Sequence, residues 1–463
     1  MQSWKPARPA RPRRGPGFRA GLGLALALGL AACDLTESEL RDAIADHTPH
    51  EAYVATLREA GALGSAVGQA WLGAAREALR SPPLVRPPFR ERGVLSPERP
   101  SAVGYRIPLR TGQELHVEVA LADTSADVFI DLFLSTPDTA APIAHVTSAQ
   151  DGATSLVHEA AVDGDYLLRI QPELLRGGVY TVTIVADAAL AFPIPGRDAD
   201  AIGSYFGAPR DGGARDHHGI DIFAPRGTPV IAVTDGHVRS VRETPRGGKV
   251  VWLRDPERGQ SVYYAHLDAQ LVESGQSVET GDTLGLVGNT GNARSTPPHL
   301  HFGIYRRGRG PINPFPFVHS PDESPVPPAA DEALLDTWVR ITRDAAALRD
   351  GFRDDAPLIR TLEAGSAARV IAIAGSRYRL RLPDGRDGYV ADWLVAAADA
   401  PIAREAAPRT LAVRARPEPS SVVIDSLAGG ASFEVLARYG PLRLVRAGDG
   451  RTGWLDASLV NDN

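Results

Sequence analysis

The chain has 463 residues, 43% hydrophobic and 6% aromatic, which is enough for about three domains of ordinary size. Formal net charge is −6, but residues 1–32 hold six basic residues and no acid, so the remainder carries 44 basic against 56 acidic residues. That balance excludes a nucleic-acid binder, which needs a basic footprint, and the single cysteine excludes an intramolecular disulfide and a cysteine-based zinc site. A metal in this chain must sit on His, Asp and Glu.

Residues 1–19 are basic and proline-rich, and residues 20–32 are an apolar run. The run is too short to span a bilayer and suits the core of a signal peptide. It ends in Leu30-Ala31-Ala32-Cys33, which resembles the lipobox of bacterial lipoproteins. The resemblance implies a signal peptide over 1–32, lipidation at Cys33, and a cell-envelope protein anchored to a membrane through that lipid. Residues 33–80 read as a helical stalk, with Thr36 and Glu39 in capping-box spacing. Residues 81–100 are proline-rich and read as a linker that only sets spacing.

From 101 to 190 the period changes. Alternating runs such as Leu115 to Leu121 and Val179 to Val185, separated by Gly and Asp turns, predict a β-sandwich. Its ending resembles the sandwich domains that accompany secreted bacterial peptidases. Asp123, Asp127, Asp131 and Asp138 suggest a calcium site, although surface acids on a sandwich are more often simply solvated.

The chemistry concentrates between 196 and 318. In a strand, residues i and i+2 face one side, so His299 and His301 point together while Leu300 and Phe302 point away. His217 and Asp221 are four apart, which also permits a common face if the segment is extended, and Gly219 leaves room for close approach. His218 is three from Asp221 and falls on the opposite face, which favours His217. Two His and one Asp suit zinc, and three protein ligands leave a fourth position for water. A further histidine nearby, such as His266, can serve as a general base. Each pair alone is a weak signal; their co-occurrence in one glycine-rich β region carries the reading.

His217-x-Gly219-Ile220-Asp221, Ala265-His266-Leu267 and Pro298-His299-Leu300-His301-Phe302 occur in order, with Gly275-Gln276 to Gly281 between them. Together, over 202–316, they closely resemble the lysostaphin-type (LytM-like) zinc metallopeptidases of peptidoglycan. The resemblance implies one Zn2+ held by His217, Asp221 and His301, with His266 and His299 as non-ligand catalytic histidines, either of which can be the base. It implies hydrolysis of peptide bonds in bacterial peptidoglycan. Asn292 and Arg294 become candidate contacts to stem carboxylates, and Tyr205 and Phe206 line the cleft or belong to the core. Pro297 stands where the family commonly has Gly, and Gly303 where Glu is frequent. The alternative is a catalytically silent relative that activates wall amidases; such relatives typically lose metal ligands.

A linker over 319–335 leads to an internal repeat. Residues 362–395 align with 427–460 at an offset of 65 without a gap, so that Tyr389 matches Trp454. Units at 336–397 and 408–463 look like tandem bacterial SH3-like barrels, which implies docking to wall peptide or wall proteins. The expected fold class is mainly β and multidomain.

Overall fold

Alternation of apolar and polar residues makes strand the predominant regular element of the described residues. The computed structural model describes residues 48–460 except 123–125, 137–142, 322, 447–449 and 451. Cys33, Thr36, Glu39, Asp123 and Asp138 lie outside the described residues. The chain divides into two compact units, Met1–Ala70 and Trp71–Asn463. In the first, helix α1 (Pro49–Glu59) starts at Thr48, whose hydroxyl accepts from the Glu51 N–H while Glu51 reaches back, a complete capping box. Helix α2 (Ala66–Arg80) follows a short turn at Ala62–Gly64.

In the second unit, two sheets form a sandwich. Its strands are β1 (Phe89–Leu95), β2 (Val103–Leu109), β3 (Gln113–Leu121), β4 (Val128–Ser135), β5 (Ile143–Ser148), β6 (Ser155–Glu159), β7 (Gly164–Pro172) and β8 (Gly178–Ala188). One sheet runs β1-β8-β3-β6 and the other β2-β7-β4-β5. Their inner faces share a core of Ile107, Val117, Leu132, Leu168, Ile170, Val182 and Ile184. Asp131 is buried here and bonds the Arg169 guanidinium at 2.7 Å and the Ser148 hydroxyl at 2.6 Å. It therefore neutralises a buried arginine, which is a different task from holding calcium.

Residues 81–100 are more than a spacer, contrary to their proline content. They contain β1, which pairs along its full length with β8 and also with the strand Ala367–Ala374. One sheet thus runs from the sandwich into the first repeat. The linker over 319–335 also ends in packed structure, since Ala330 is buried and the Ala329 N–H donates to the Gly375 carbonyl at 2.8 Å.

The region that holds the histidines is a separate antiparallel sheet. Strands β9 (Ile202–Ser204), β10 (Ile220–Phe223), β11 (Gly236–Thr244), β12 (Gly248–Asp255), β13 (Gln260–Leu267) and β14 (His299–Arg306) take the order β11-β12-β13-β14-β10-β9. One face buries Ile220, Ile222, Val262, Tyr264, Leu300, Phe302 and Ile304. The alternate residues of β10, β13 and β14 therefore point to the other face. The two C-terminal β units repeat each other: strands Ala346–Arg349, Leu358–Leu362, Ala367–Ala374, Arg377–Arg381 and Asp387–Ala391 each recur 65 residues later. Tyr389 and Trp454 are both buried. Among the described residues, no helix is long and apolar enough to cross a membrane.

Candidate metal centre

Strand register sets the site. His301 lies in register with Asp221 on β10 to one side and with Ala265 on β13 to the other. His299, two residues back on β14, shares its face and lies in register with Phe223. His217 comes from the irregular turn before β10 rather than from a strand. His266 sits at an irregularity in the pairing of β13, between Ala265 and Leu267, in the left-handed region at φ 64°. For a residue with a β-carbon this is an uncommon conformation, of the kind that gathers at functional sites.

Three potential ligand atoms converge. His217 Nε2 is 3.0 Å from Asp221 Oδ1 and 2.9 Å from His301 Nδ1, and His301 Nδ1 is 2.9 Å from Asp221 Oδ1. All three residues are largely buried. His217 Nδ1 donates to the Tyr205 carbonyl at 3.0 Å, so its Nε2 carries a lone pair. A proton on His301 Nδ1 can bridge only one contact at a time. His217 Nε2 and Asp221 Oδ1 then face each other as two acceptors with no proton between them, and a cation among the three atoms removes that conflict. The donor set of two imidazoles and a carboxylate matches zinc.

The other two histidines have the same internal arrangement. His266 Nδ1 donates to the Thr290 carbonyl and His299 Nδ1 to the Pro297 carbonyl, each at 2.9 Å. Both Nε2 atoms are left as acceptors. The His266 ring stands edge-on to His299 at 5.1 Å and to His301 at 6.0 Å. Burial pulls the His266 pKa down to about 4, against the opposing bond to Thr290. Burial likewise lowers His301, although Asp221 works the other way. Burial alone would raise the Asp221 carboxyl, but the adjoining His217 and His301 imidazoles hold it far below the usual carboxylate range. At neutral pH the site therefore presents a carboxylate at Asp221 and neutral imidazoles at His266 and His301.

The remaining sequence candidates spread around this centre. His218 is exposed and points elsewhere than His217. Tyr205 is half exposed, with its ring edge-on to Phe315 at 5.6 Å, and serves the site through its carbonyl. Phe206 is partly buried. Asn292 and Arg294 are exposed on the turn Gly291–Ala293 and its cap, and the Asn292 N–H bonds the Arg246 carbonyl at 3.0 Å. Sequence reasoning missed Phe223, whose ring lies 5.2 Å from His299, and Tyr263, 5.8 Å from His301. Tyr263 precedes His266 by an odd spacing on β13, a signal that could have placed it on the site's face only if the bend at His266 had been known. Arg210 and Ser204, which touch the ligand group, had no signal of spacing.

Comparison with known proteins agrees with this geometry. The model of peptidase family M23 matches residues 215–314. The L-Ala–D-Glu endopeptidase of Bacillus subtilis is 36% identical over 141 residues, 28% of this chain and 43% of that protein. The peptidoglycan DD-endopeptidase ShyA of Vibrio cholerae is 42% identical over 97 residues, 21% of this chain and 22% of that protein. The chain thus spans less than half the length of these curated relatives. Among solved structures, the catalytic domain of lysostaphin from Staphylococcus simulans is 30% identical over 25% of this chain and 89% of that one, with a TM-score of 0.23. The histidine-bearing sheet of this chain thus holds the segment that matches the model of peptidase family M23.

Proposed function

We propose that the chain is a zinc-dependent endopeptidase that hydrolyses peptide cross-links of bacterial peptidoglycan. One observation carries the reading: His217, Asp221 and His301 present three ligand atoms within 4.8 Å of one another, beside two histidines with free Nε2 atoms. The relatives named as endopeptidases, one of them of peptidoglycan, support the substrate class.

Zinc, when bound there, acts as a Lewis acid on the scissile carbonyl and lowers the pKa of a bound water toward ~7. The chain's own residues handle the proton. The Thr290 and Pro297 carbonyls hold protons on Nδ1 of His266 and His299, so either Nε2 can accept the proton of the attacking water. The imidazole that takes it becomes a donor and can pass the proton to the leaving amine. The buried floor of Leu300, Phe302 and Ile220 keeps bulk water from the far side of the sheet. A catalytically silent relative would need none of this arrangement, and the intact trio favours the enzyme.

The same reading anchors the chain in the cell envelope through a lipid on Cys33, on the strength of the Leu30-Ala31-Ala32-Cys33 motif. It gives the two C-terminal repeats, as SH3-like modules, a role in docking to the wall or to wall proteins. The experiment is digestion of purified sacculi by metal-replete protein. Release of soluble fragments is expected, with loss after chelation and in His217→Ala; sacculi left intact by the replete wild type would refute the function.

A further inference from the structure

Arg210 belongs to the short hairpin in which Pro209–Arg210 pairs with Arg215–Asp216. Its Nη2 lies 2.5 Å from Asp221 Oδ2 and 2.7 Å from Ser204 Oγ. Asp221 and Ser204 are themselves partners in register between β10 and β9. Ser204 Oγ is also 3.3 Å from His217 Nδ1. One guanidinium nitrogen therefore braces the carboxylate and reaches, through a hydroxyl, the second ligand residue. The division of labour within Asp221 is clear: Oδ1 faces the two imidazoles, and Oδ2 faces the arginine.

We propose that Arg210 is a positioning residue for the metal centre, holding Asp221 so that a single oxygen faces the ion. The proposal rests on the zinc reading above. A carboxylate can bind a cation through one oxygen or two, and a charge-assisted hydrogen bond to one of them occupies it and draws electron density from the other. Arg210 thereby keeps the second oxygen from the ion and leaves coordination positions for water and substrate. Arg215 is tied instead to Asp211, at 2.6 Å, so the hairpin offers no ready substitute cation.

The test uses the full chain and two readouts that need no turnover: zinc affinity by competition with a chromophoric chelator, and the visible spectrum after cobalt substitution. Arg210→Gln is expected to weaken zinc binding about tenfold, the scale on which partners of metal ligands act. Its cobalt bands should lose intensity, as the freed oxygen raises the coordination number above four. Arg210→Lys keeps the charge and should recover part of both effects. Should Arg210→Gln fail to fold, Ser204→Ala removes the other acceptor without replacing a ligand and should shift both readouts in the same direction by less. Unchanged affinity and spectrum in these variants would overturn the proposal and leave the zinc reading standing. A wild type that takes up no zinc would overturn both.

Discussion

Gly219 has no room for a side chain. A β-carbon there would come within 2.4 Å of the Phe302 carbonyl oxygen and 2.8 Å of His301 Cε1. Gly219→Ala must therefore push His301 out of line, and zinc affinity is expected to fall about tenfold or more, with activity lost in proportion. Chelator competition beside a peptidase assay checks this, and unchanged zinc affinity would show that the strand yields instead. His266 offers a second test, because its φ of 64° is one that glycine adopts freely and alanine does not. His266→Ala and His266→Gly both remove the ring. The glycine variant should nevertheless be more stable by about 1 kcal/mol in denaturant unfolding. At this scale the histidine pair of β14 was legible because strand periodicity is strict. The partners that fix the imidazole tautomers were not, since the carbonyls of Tyr205, Thr290 and Pro297 are backbone groups that any residue supplies. Arg210 was hidden for a similar reason: it reaches Asp221 across a turn, with no periodic relation to it.

Strand β1 shows how one residue can mask an element. Phe89, Glu91, Gly93 and Leu95 are its inward positions, and a charged residue in that series breaks the apolar alternation by which strands are read. Buried Glu91 accepts from the hydroxyls of Tyr105 at 2.5 Å, Tyr180 at 2.9 Å and Tyr389 at 2.5 Å, and the Arg379 guanidinium lies 3.5 Å away. Burial, with the charge of Glu91 next, pushes all three phenols well above their usual pKa. Glu91→Ala would remove the acceptor that three buried hydroxyls share and a carboxylate beside a buried guanidinium, and a loss of about 3–5 kcal/mol is expected by chemical denaturation. A change within 1 kcal/mol would mean that the cluster is not a structural joint. Arg379 also pairs with Asp387 at 3.0 Å. Burial raises the Asp387 carboxyl, but Arg379 and Arg381 outweigh it and hold the pKa below its usual value. A depressed carboxylate contributes stability that is present above its unfolded pKa of about 4 and lost as pH falls through the folded value. Asp387→Asn should therefore flatten the acid limb of thermal stability below pH ~4; an identical acid limb would count against the pair.

At the scale of the whole molecule, the second unit is held together by buried charge as well as by continuous sheet. Arg258, in the turn after β12, bonds both oxygens of Glu159 on β6 at 3.0 and 2.9 Å and lies 3.3 Å from fully buried Asp255. Arg258→Ala leaves Asp255 buried without its cation and removes an ion pair between the sandwich and the histidine-bearing sheet. About 3 kcal/mol should be lost, and calorimetry should resolve a separate, earlier transition for the freed part; a single unshifted transition would contradict this. The mainly β, multidomain character was legible from composition and period, and the grouping of His217, Asp221 and His301 from motif order. The joining of modules through β1 was not, because it depends on contacts between residues nearly 300 apart, such as Glu91 and Tyr389. The central claim, that this sheet carries a zinc peptidase of the wall, is tested most directly by mass spectrometry of defined cross-linked muropeptides after incubation with the zinc-loaded chain. Products that gain one water at a peptide bond are expected, absent with chelator and absent in His301→Ala. Unaltered muropeptides with the loaded wild type, or the same products from His301→Ala, would contradict it.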